Sequence, residues 1–413
     1  MASLPNGVLK KFTVRILGMK LLVIVNDFPD LSNRYVANIF VKEQIIELSK
    51  YFNEINVIVP MPFGIGFKRK TNYKKYKIKS NINVYFIKYL NPLFPIAYSN
   101  LRKLWVTMEL SAICNFIEKN KLKFDLIHAH YTWPSGAVAV CLKKKFKVPV
   151  IITEHTSVTF IKYFNKNDKL IFDIWKKADA IIRVRKNDCA KFNELGISSS
   201  KVYWIPNGYN EEKFISIQRN EARNQLGLQF DRKIILNVAN MYSEIKGHAY
   251  LLKSFSIILK KHDNASLILV GDGKLLSKIK NMSSAFNIGN YVYFAGRRSH
   301  NEIPLYMNAA DLFVLPSLSE GNPTVMFEAL GVGLPFVGTR VGGVPEIITS
   351  DEYGLLAEPG NPDDLAEKIL VALEKEWDRE KIRDYARQFT WENIAKQVMK
   401  VYEEVLSKSP SGE

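Results

Sequence analysis

Cysteine is nearly absent from this chain: Cys114, Cys141 and Cys189 are the three in 413 residues. An odd number without a Cys-x-x-Cys pair argues against a disulfide framework and a cysteine-based zinc site, and the expected compartment is reducing and cytosolic. Long apolar runs are missing too. The longest candidates, such as Leu21–Val25, are strand-sized and far from the roughly 20 residues that span a bilayer, so any membrane contact is expected to be peripheral. Residues 1–18 lack a signal peptide's pattern, because Lys10, Lys11 and Arg15 interrupt the apolar stretch and no small-residue cleavage site follows. They read as an N-terminal extension ahead of a core strand opening at Met19.

Acidic residues are scarce in one half only. Residues 1–213 carry 35 Lys+Arg against 16 Asp+Glu, a balance of +19, and the remaining residues carry 23 against 25, a balance of −2. The basic half suits an anionic membrane face, a phosphorylated acceptor or nucleic acid, and equally a plain solubilising surface. No nucleic-acid recognition motif accompanies the charge. The hydrophobic fraction of 47% excludes general disorder, and the length suits two domains.

What is present is a repeated alternation. Strand-like runs at Leu21–Val25, Ile55–Pro60, Val84–Lys88, Leu126–His130, Val150–Thr153, Ala180–Arg183 and Val202–Pro206 are interleaved with helical segments. A second series follows at Lys233–Val238, Ala265–Gly271, Tyr291–Ala295, Leu312–Leu315 and Pro335–Gly338. Two doubly wound α/β domains of the Rossmann kind are expected, at residues 19–213 and 214–390, with a hinge near 207–218. Residues 391–413 are expected to form a C-terminal helix and tail, with Thr390 as N-cap and the helix crossing back to the first domain.

The segment Leu312-Phe-Val-Leu-Pro-Ser-Leu-Ser-Glu320-Gly-Asn-Pro-Thr-Val-Met-Phe-Glu328 places two carboxylates eight positions apart across a strand-to-helix junction. Strand 312–315 leads into a loop at 316–322, and Pro323 or Thr324 opens a helix whose first amides suit a diphosphate. Ionised carboxylates are pure acceptors, so one can take a sugar's hydroxyls and the other a ribose diol.

With this pattern the chain resembles the family 4 retaining glycosyltransferases of the GT-B fold, whose signature is an E-x7-E pair in the same setting, over nearly everything from Met19 to Leu406. The resemblance implies two Rossmann-like domains facing across a cleft. It implies Glu320 as the residue orienting the transferred sugar and Glu328 as the ribose ligand, with Gly321, Asn322, Pro323 and Thr324 around the diphosphate. Val238-Ala-Asn-Met-Tyr-Ser-Glu-Ile-Lys246 is similar to the family's loop with a basic pair for the diphosphate. Lys246 matches the lysine, while Asn240 stands where arginine is usual and the loop is one residue longer, which shifts the phosphate charge onto Lys246 and the helix amides. Gly271 falls in the family's Gly-rich turn, and Arg297 follows the strand bordering the base.

In the first half, His130 at the end of an apolar strand matches the family histidine near the transferred sugar, and His128 reads as a satisfied structural histidine. Glu154, His155 and Arg183, with Lys186, lie at the next strand ends on the acceptor side. The loop at Asn33 and Arg34 lacks the Gly-Gly of many relatives, so these two either contact ligand differently or serve acceptor choice. Phe63–Lys79 interleaves basic residues with aromatics and is followed by Leu93–Tyr98, a pattern suited to an anionic interface.

The expected activity is metal-independent, cofactor-free retaining transfer of a hexosyl unit from a nucleoside diphosphate sugar to a glycan or lipid-linked acceptor. The resemblance implies front-face substitution, with Glu320, His130 and Lys246 as the catalytic groups. Competing readings are a nucleotide-sugar epimerase or phosphorylase on a related scaffold, and a basic nucleic-acid-binding protein; nucleic acid is not expected as a partner, because no recognition motif accompanies the charge.

Overall fold

The computed structural model describes residues 18–29, 37–64, 67–68, 74–91, 101–229 and 231–408. The expectations placed on residues 1–17, Asn33, Arg34, Arg69, Lys70, Tyr73 and residues 93–98 lie outside that range. Two compact units are present: Met1–Ile205 with Ala395–Glu413, and Pro206–Ile394.

The first unit is built on β1 (Lys20–Val25), β2 (Glu54–Gly64), β3 (Phe67–Lys68), β4 (Lys75–Lys79), β5 (Ile82–Leu90), β6 (Leu126–His130), β7 (Val150–Glu154), β8 (Ala180–Arg183) and β9 (Val202–Trp204). The sheet order is β4-β5-β2-β1-β6-β7-β8-β9, with β3 paired to β2. All pairs are parallel except β4–β5 and β2–β3. The central strands are continuous apolar runs because helices cover both faces; Leu21 to Val25 are fully buried. One core joins Leu22, Ile24, Ile127, Ile152 and Trp175.

The second unit contains β10 (Lys233–Val238), β11 (Ala265–Val270), β12 (Val292–Gly296), β13 (Leu312–Leu315), β14 (Phe336–Thr339) and β15 (Gly354–Ala357), in the all-parallel order β12-β11-β10-β13-β14-β15. In both sheets the strand order reverses beside the first strand, between β1 and β6 and between β10 and β13. Crevices outside the carboxyl ends of such strands are where open α/β sheets take ligands. The loops leaving β10 and β13 carry Lys246 and Glu320, and the strand ending at that edge in the first unit carries His130.

Three differences from the sequence expectations have physical reasons. The chain passes between units after Ile205 and not at 213, because the following residues are fixed in the second unit. Tyr209 N donates to Phe389 O at 3.0 Å, Tyr209 O accepts from Trp391 N at 2.9 Å, and Phe214 is buried against His300. Part of the basic stretch Phe63–Lys79 is an edge strand that no apolar run announced: β4 alternates exposed lysines with the buried Tyr76, whose hydroxyl donates to Pro29 O at 2.5 Å. β15 was missed, since Gly-Leu-Leu-Ala opens on glycine and its two leucines are only half-buried, so it makes no buried apolar run.

The C-terminal helix runs Trp391–Lys408, and Thr390 Oγ1 caps it by accepting from Asn393 N at 3.3 Å. From Ala395 onward it belongs to the first unit, as the expected return crossing requires. There Tyr402 is fully buried and meets His128 Nδ1 at 2.6 Å, and Tyr203 Oη donates to Glu404 Oε2 at 2.7 Å.

Candidate active site

In the second unit, the loop between β13 and the helix Thr324–Gly331 presents Glu320, which is 8% exposed. Its Oε1 accepts from Lys246 Nζ at 2.8 Å and from Ser317 Oγ at 2.6 Å. Ser317 is fully buried, and its carbonyl accepts from Thr339 Oγ1 at the end of β14, so the loop is tied to two strands. Lys246 ends a short turn capped by Ser243, whose side chain accepts from Ile245 N at 3.3 Å. A residue on a short capped turn keeps its ammonium at the sheet edge, half-buried and paired.

Close backbone contacts hold these loops together. Gly342 has φ +58, and a Cβ there would lie 2.0 Å from the Glu320 carbonyl oxygen; its neighbour Gly343 donates from N to Gly321 O at 2.7 Å. Gly271 has φ +149, and a Cβ there would lie 1.9 Å from Ala239 O, so the turn after β11 packs on the loop that leads to Lys246.

Glu328 is the fifth residue of the helix Thr324–Gly331 and is 5% exposed, not a surface residue. Its Oε1 lies 2.6 Å from His300 Nε2. Pro323 precedes the helix with φ −71 and ψ 117, and Thr324 opens it. Met326 N donates to Pro323 O at 3.1 Å, while the amides of Thr324 and Val325 come before any helical acceptor, at the positive end of the helix dipole. Asn322 is used by the protein itself: Oδ1 accepts from Asn207 N at 2.7 Å and its carbonyl from Asn207 Nδ2 at 2.6 Å. Asn240 is exposed, and its Oδ1 accepts from Tyr242 N at 3.4 Å. Arg297 is exposed, donating from Nη2 to Tyr242 Oη at 3.0 Å.

Two histidines here escaped sequence reasoning. His300 is described above. His248, two positions after Lys246, is 3% exposed with both ring nitrogens unpartnered among the described residues, and burial lowers its pKa to about 4.

The first unit presents a different edge. His130 ends β6 fully buried, with Nδ1 3.0 Å from His155 Nε2 and the two rings stacked at 5.3 Å. Burial first, then the neighbouring His128 and His155, hold its pKa well below 6.5, so the ring is neutral. Its Nε2 has no partner among the described residues. His128 has both nitrogens engaged, by Tyr402 Oη and by Thr153 Oγ1 at 2.7 Å, as a structural histidine would. Burial lowers its pKa to about 3.

Glu154 is 1% exposed, and its carboxylate accepts from Thr132 N at 3.0 Å and Thr156 N at 2.7 Å, pinning the loops that carry the residues after His130 and His155. Arg183 corrects the expectation of a charge open to an acceptor. It is fully buried, with Nε and Nη2 on Asp188 Oδ2 at 3.1 and 2.6 Å and Nη1 on Glu154 O at 2.6 Å. A guanidinium at the end of an interior strand survives only if its donors are filled, and here protein acceptors fill them. Lys186 is exposed, its ammonium 5.4 Å from the Trp204 ring centroid.

Among the described residues no three His, Cys, Asp or Glu side chains group as a metal site, and no helix is long and apolar enough to cross a membrane.

Comparison with known proteins agrees with this geometry. The model of the glycosyl transferases group 1 family matches residues 218–389, and that of glycosyltransferase family 4 matches residues 66–213. An uncharacterized glycosyltransferase of Methanocaldococcus jannaschii is 33% identical over 296 residues, covering 70% of this chain and 78% of the relative. Among solved structures, sucrose-phosphate synthase from Thermosynechococcus elongatus superposes with a TM-score of 0.77 at 22% identity, over 95% of this chain and 100% of the other. Anabaena HepE in complex with UDP does so with a TM-score of 0.71 at 18% identity, over 94% and 100%.

Proposed function

The chain belongs to the group 1 glycosyltransferases of family 4, with the GT-B fold, and from that premise we propose that it moves a hexosyl unit from a nucleoside diphosphate sugar to a glycan or lipid-linked acceptor with retention of configuration. The observation that carries the donor assignment is the meeting of Lys246 and Glu320 at 2.8 Å, at the point where the second sheet's strand order reverses. A lysine and a carboxylate there can hold a diphosphate and a sugar side by side, the diphosphate on Lys246 and the helix amides, the sugar hydroxyls on Glu320. Glu328 takes the ribose. The UDP in the Anabaena HepE complex, a fold relative, supports a nucleotide on this scaffold.

As the glycosidic bond breaks, negative charge grows on the leaving diphosphate. Lys246 and the first amides of the helix Thr324–Gly331 stabilise that charge more than the ground state, which lowers the barrier. In this scheme neither a metal nor a cofactor is required. The leaving phosphate takes the acceptor's proton, and the acceptor attacks from the same face through a short-lived oxocarbenium-like ion pair. His130, neutral with an Nε2 that has no partner among the described residues, is suited to hydrogen-bond an uncharged hydroxyl.

Acceptor binding is assigned to the first unit, which carries the basic excess. Peripheral association with the inner membrane face is part of the proposal. At the ends of β2 and β5, Phe63 and Leu90 pair in register and are 41% and 59% exposed, and Leu101 and Leu104 are exposed at the start of the next helix. Apolar tips beside lysines are the composition of an anionic interface.

The donor reading is tested with UDP-, GDP- and ADP-sugars in thermal stabilisation and hydrolysis assays on the wild type, Glu328→Ala and Lys246→Ala. One donor should stabilise the wild type and lose its effect in both variants; an identical response of all three proteins to every donor would overturn the site. Sedimentation with neutral and anionic liposomes tests the membrane reading, with selective binding to the anionic ones expected and equal binding, or none, counting against it.

A further inference from the structure

His300 lies in the donor edge, yet neither the E-x7-E pair nor the proposed chemistry uses it. It follows β12, is 8% exposed and reaches across to the helix Thr324–Gly331. Its Nε2 is 2.6 Å from Glu328 Oε1, its Nδ1 is 3.1 Å from Lys213 Nζ, and its ring packs tilted on Phe214 with centroids 5.4 Å apart.

These contacts fix the ring's hydrogen. A lysine ammonium has donors and no lone pair, so Nδ1 must be the acceptor. The donor is then Nε2, whose hydrogen goes to Glu328. The order is therefore Lys213 to His300 to Glu328, each group donating to the next. Such an arrangement sets the plane of a carboxylate by occupying one oxygen, and it leaves the second oxygen to accept from other groups.

We propose that His300, locked in one tautomer by Lys213, is the positioning residue that presents Glu328 to the two ribose hydroxyls, and so sets the preference for a ribonucleoside over a 2′-deoxyribonucleoside diphosphate. This rests on the reading of Glu328 as the ribose ligand. The lock also ties donor recognition to the start of the second unit, because Lys213 and Phe214 come from the segment by which the chain enters it. A merely structural histidine would brace the helix and affect both nucleotide classes alike; a positioning histidine acts only where there is a 2′-hydroxyl to position.

The test is calorimetric titration of the full chain with UDP, GDP and ADP and with their 2′-deoxy counterparts. The wild type should bind one ribonucleoside diphosphate more tightly than its deoxy form. In His300→Ala the affinity for the ribo form should fall about tenfold, the value of one lost hydrogen bond to a charged group, while the deoxy form stays within about twofold. His300→Gln, whose amide nitrogen can sit where Nε2 sits, should recover most of the preference, and Lys213→Met should lose part of it. Equal weakening of both forms in His300→Ala, or no change in either, would overturn the proposal while Glu328→Ala still abolishes the preference. A preference that survives Glu328→Ala would overturn the ribose assignment and the proposal with it.

Discussion

The two sheet edges share a topology and differ in how they treat charge. At the proposed donor edge of the second unit, Lys246 stays partly exposed and paired with Glu320, and Glu328 is paired with His300. At the corresponding edge of the first unit, His128 and His130 are fully buried with His155 beside them, all three held neutral by burial, and Arg183 is consumed by Asp188. Net charge runs the other way, since the first 213 residues hold the whole positive excess. Overall charge therefore says little about the charge of a site: lysines on strand margins and helix surfaces make up the sum, while the buried edge is governed by desolvation. An edge of neutral imidazoles suits hydroxyl groups; an edge where a half-buried lysine is paired with a buried carboxylate suits phosphate.

The largest expected effect attacks the buried pair. Asp188→Ala strands Arg183 without its carboxylate and should destabilise the first unit by about 3–5 kcal/mol, read as a shifted urea midpoint. Trp105, Trp133, Trp175 and Trp204, four of the six tryptophans, report that unit by fluorescence. The double change Arg183→Met with Asp188→Ala should recover part of the loss, and failure to recover would mean the pair serves more than charge balance.

Next in size is catalysis. Lys246→Ala should lower the turnover number by about 10²–10³-fold, in the range of removing one preorganised donor to developing charge, measured as nucleotide release with saturating donor. His130→Phe should cost less, because a neutral ring supplies one hydrogen bond and no charge. Equal losses would erase the distinction between the edges.

Third, stability should depend on pH chiefly through the first unit. His128, His130 and His155 have folded pKa values below 6.5, so the unfolded chain binds more protons and stability falls as pH drops below 6.5. Glu109 works against them. Buried with Tyr89 Oη 2.6 Å from one oxygen, its carboxyl is pushed up to about 7, so between about 4.5 and 7 the folded state holds one proton that the unfolded state lacks. Three protons against one leave roughly two, or a slope of roughly 2.5 kcal/mol per pH unit from these groups near pH 5.5. Urea unfolding at pH 5 and 6 should show it, and Glu109→Gln should steepen it; a shallower slope would refute the assignment. In the second unit burial lowers His248 to about 4, one such group against three, so its contribution to the slope should be smaller.

The smallest effect is expected at Arg297. Exposed and bonded to Tyr242, its change to Ala should alter stability by less than about 0.5 kcal/mol, and any larger change confined to donor affinity would place it against the base.

Much of the fold was legible. β6, β8, β10 and β13 have the bounds their apolar runs suggest, since buried parallel strands must be continuously apolar and end at polar or Gly/Pro residues. β4 was hidden because its lysines alternate outward on an edge, and β15 because it opens on glycine and its two leucines are only half-buried. At the site, Glu320, Glu328 and Lys246 were visible because short segments carry them. His300 was not, lying 28 positions from Glu328 and 87 from Lys213, with no local pattern joining them.

The sequence by itself determined two α/β units, the strand ends where chemistry-bearing residues stand, and the family, because periodicity and short motifs are local. Tertiary structure alone decided which charges survive. Arg183 and Lys186 sit three positions apart and look alike as letters, yet one is sealed in an ion pair and the other lies in solvent. Likewise His128 is satisfied on both nitrogens and His130 on one. Burial and hydrogen-bond partners come from residues far away in the chain, and it is these, through desolvation, that set whether a titratable group braces the fold or faces a substrate.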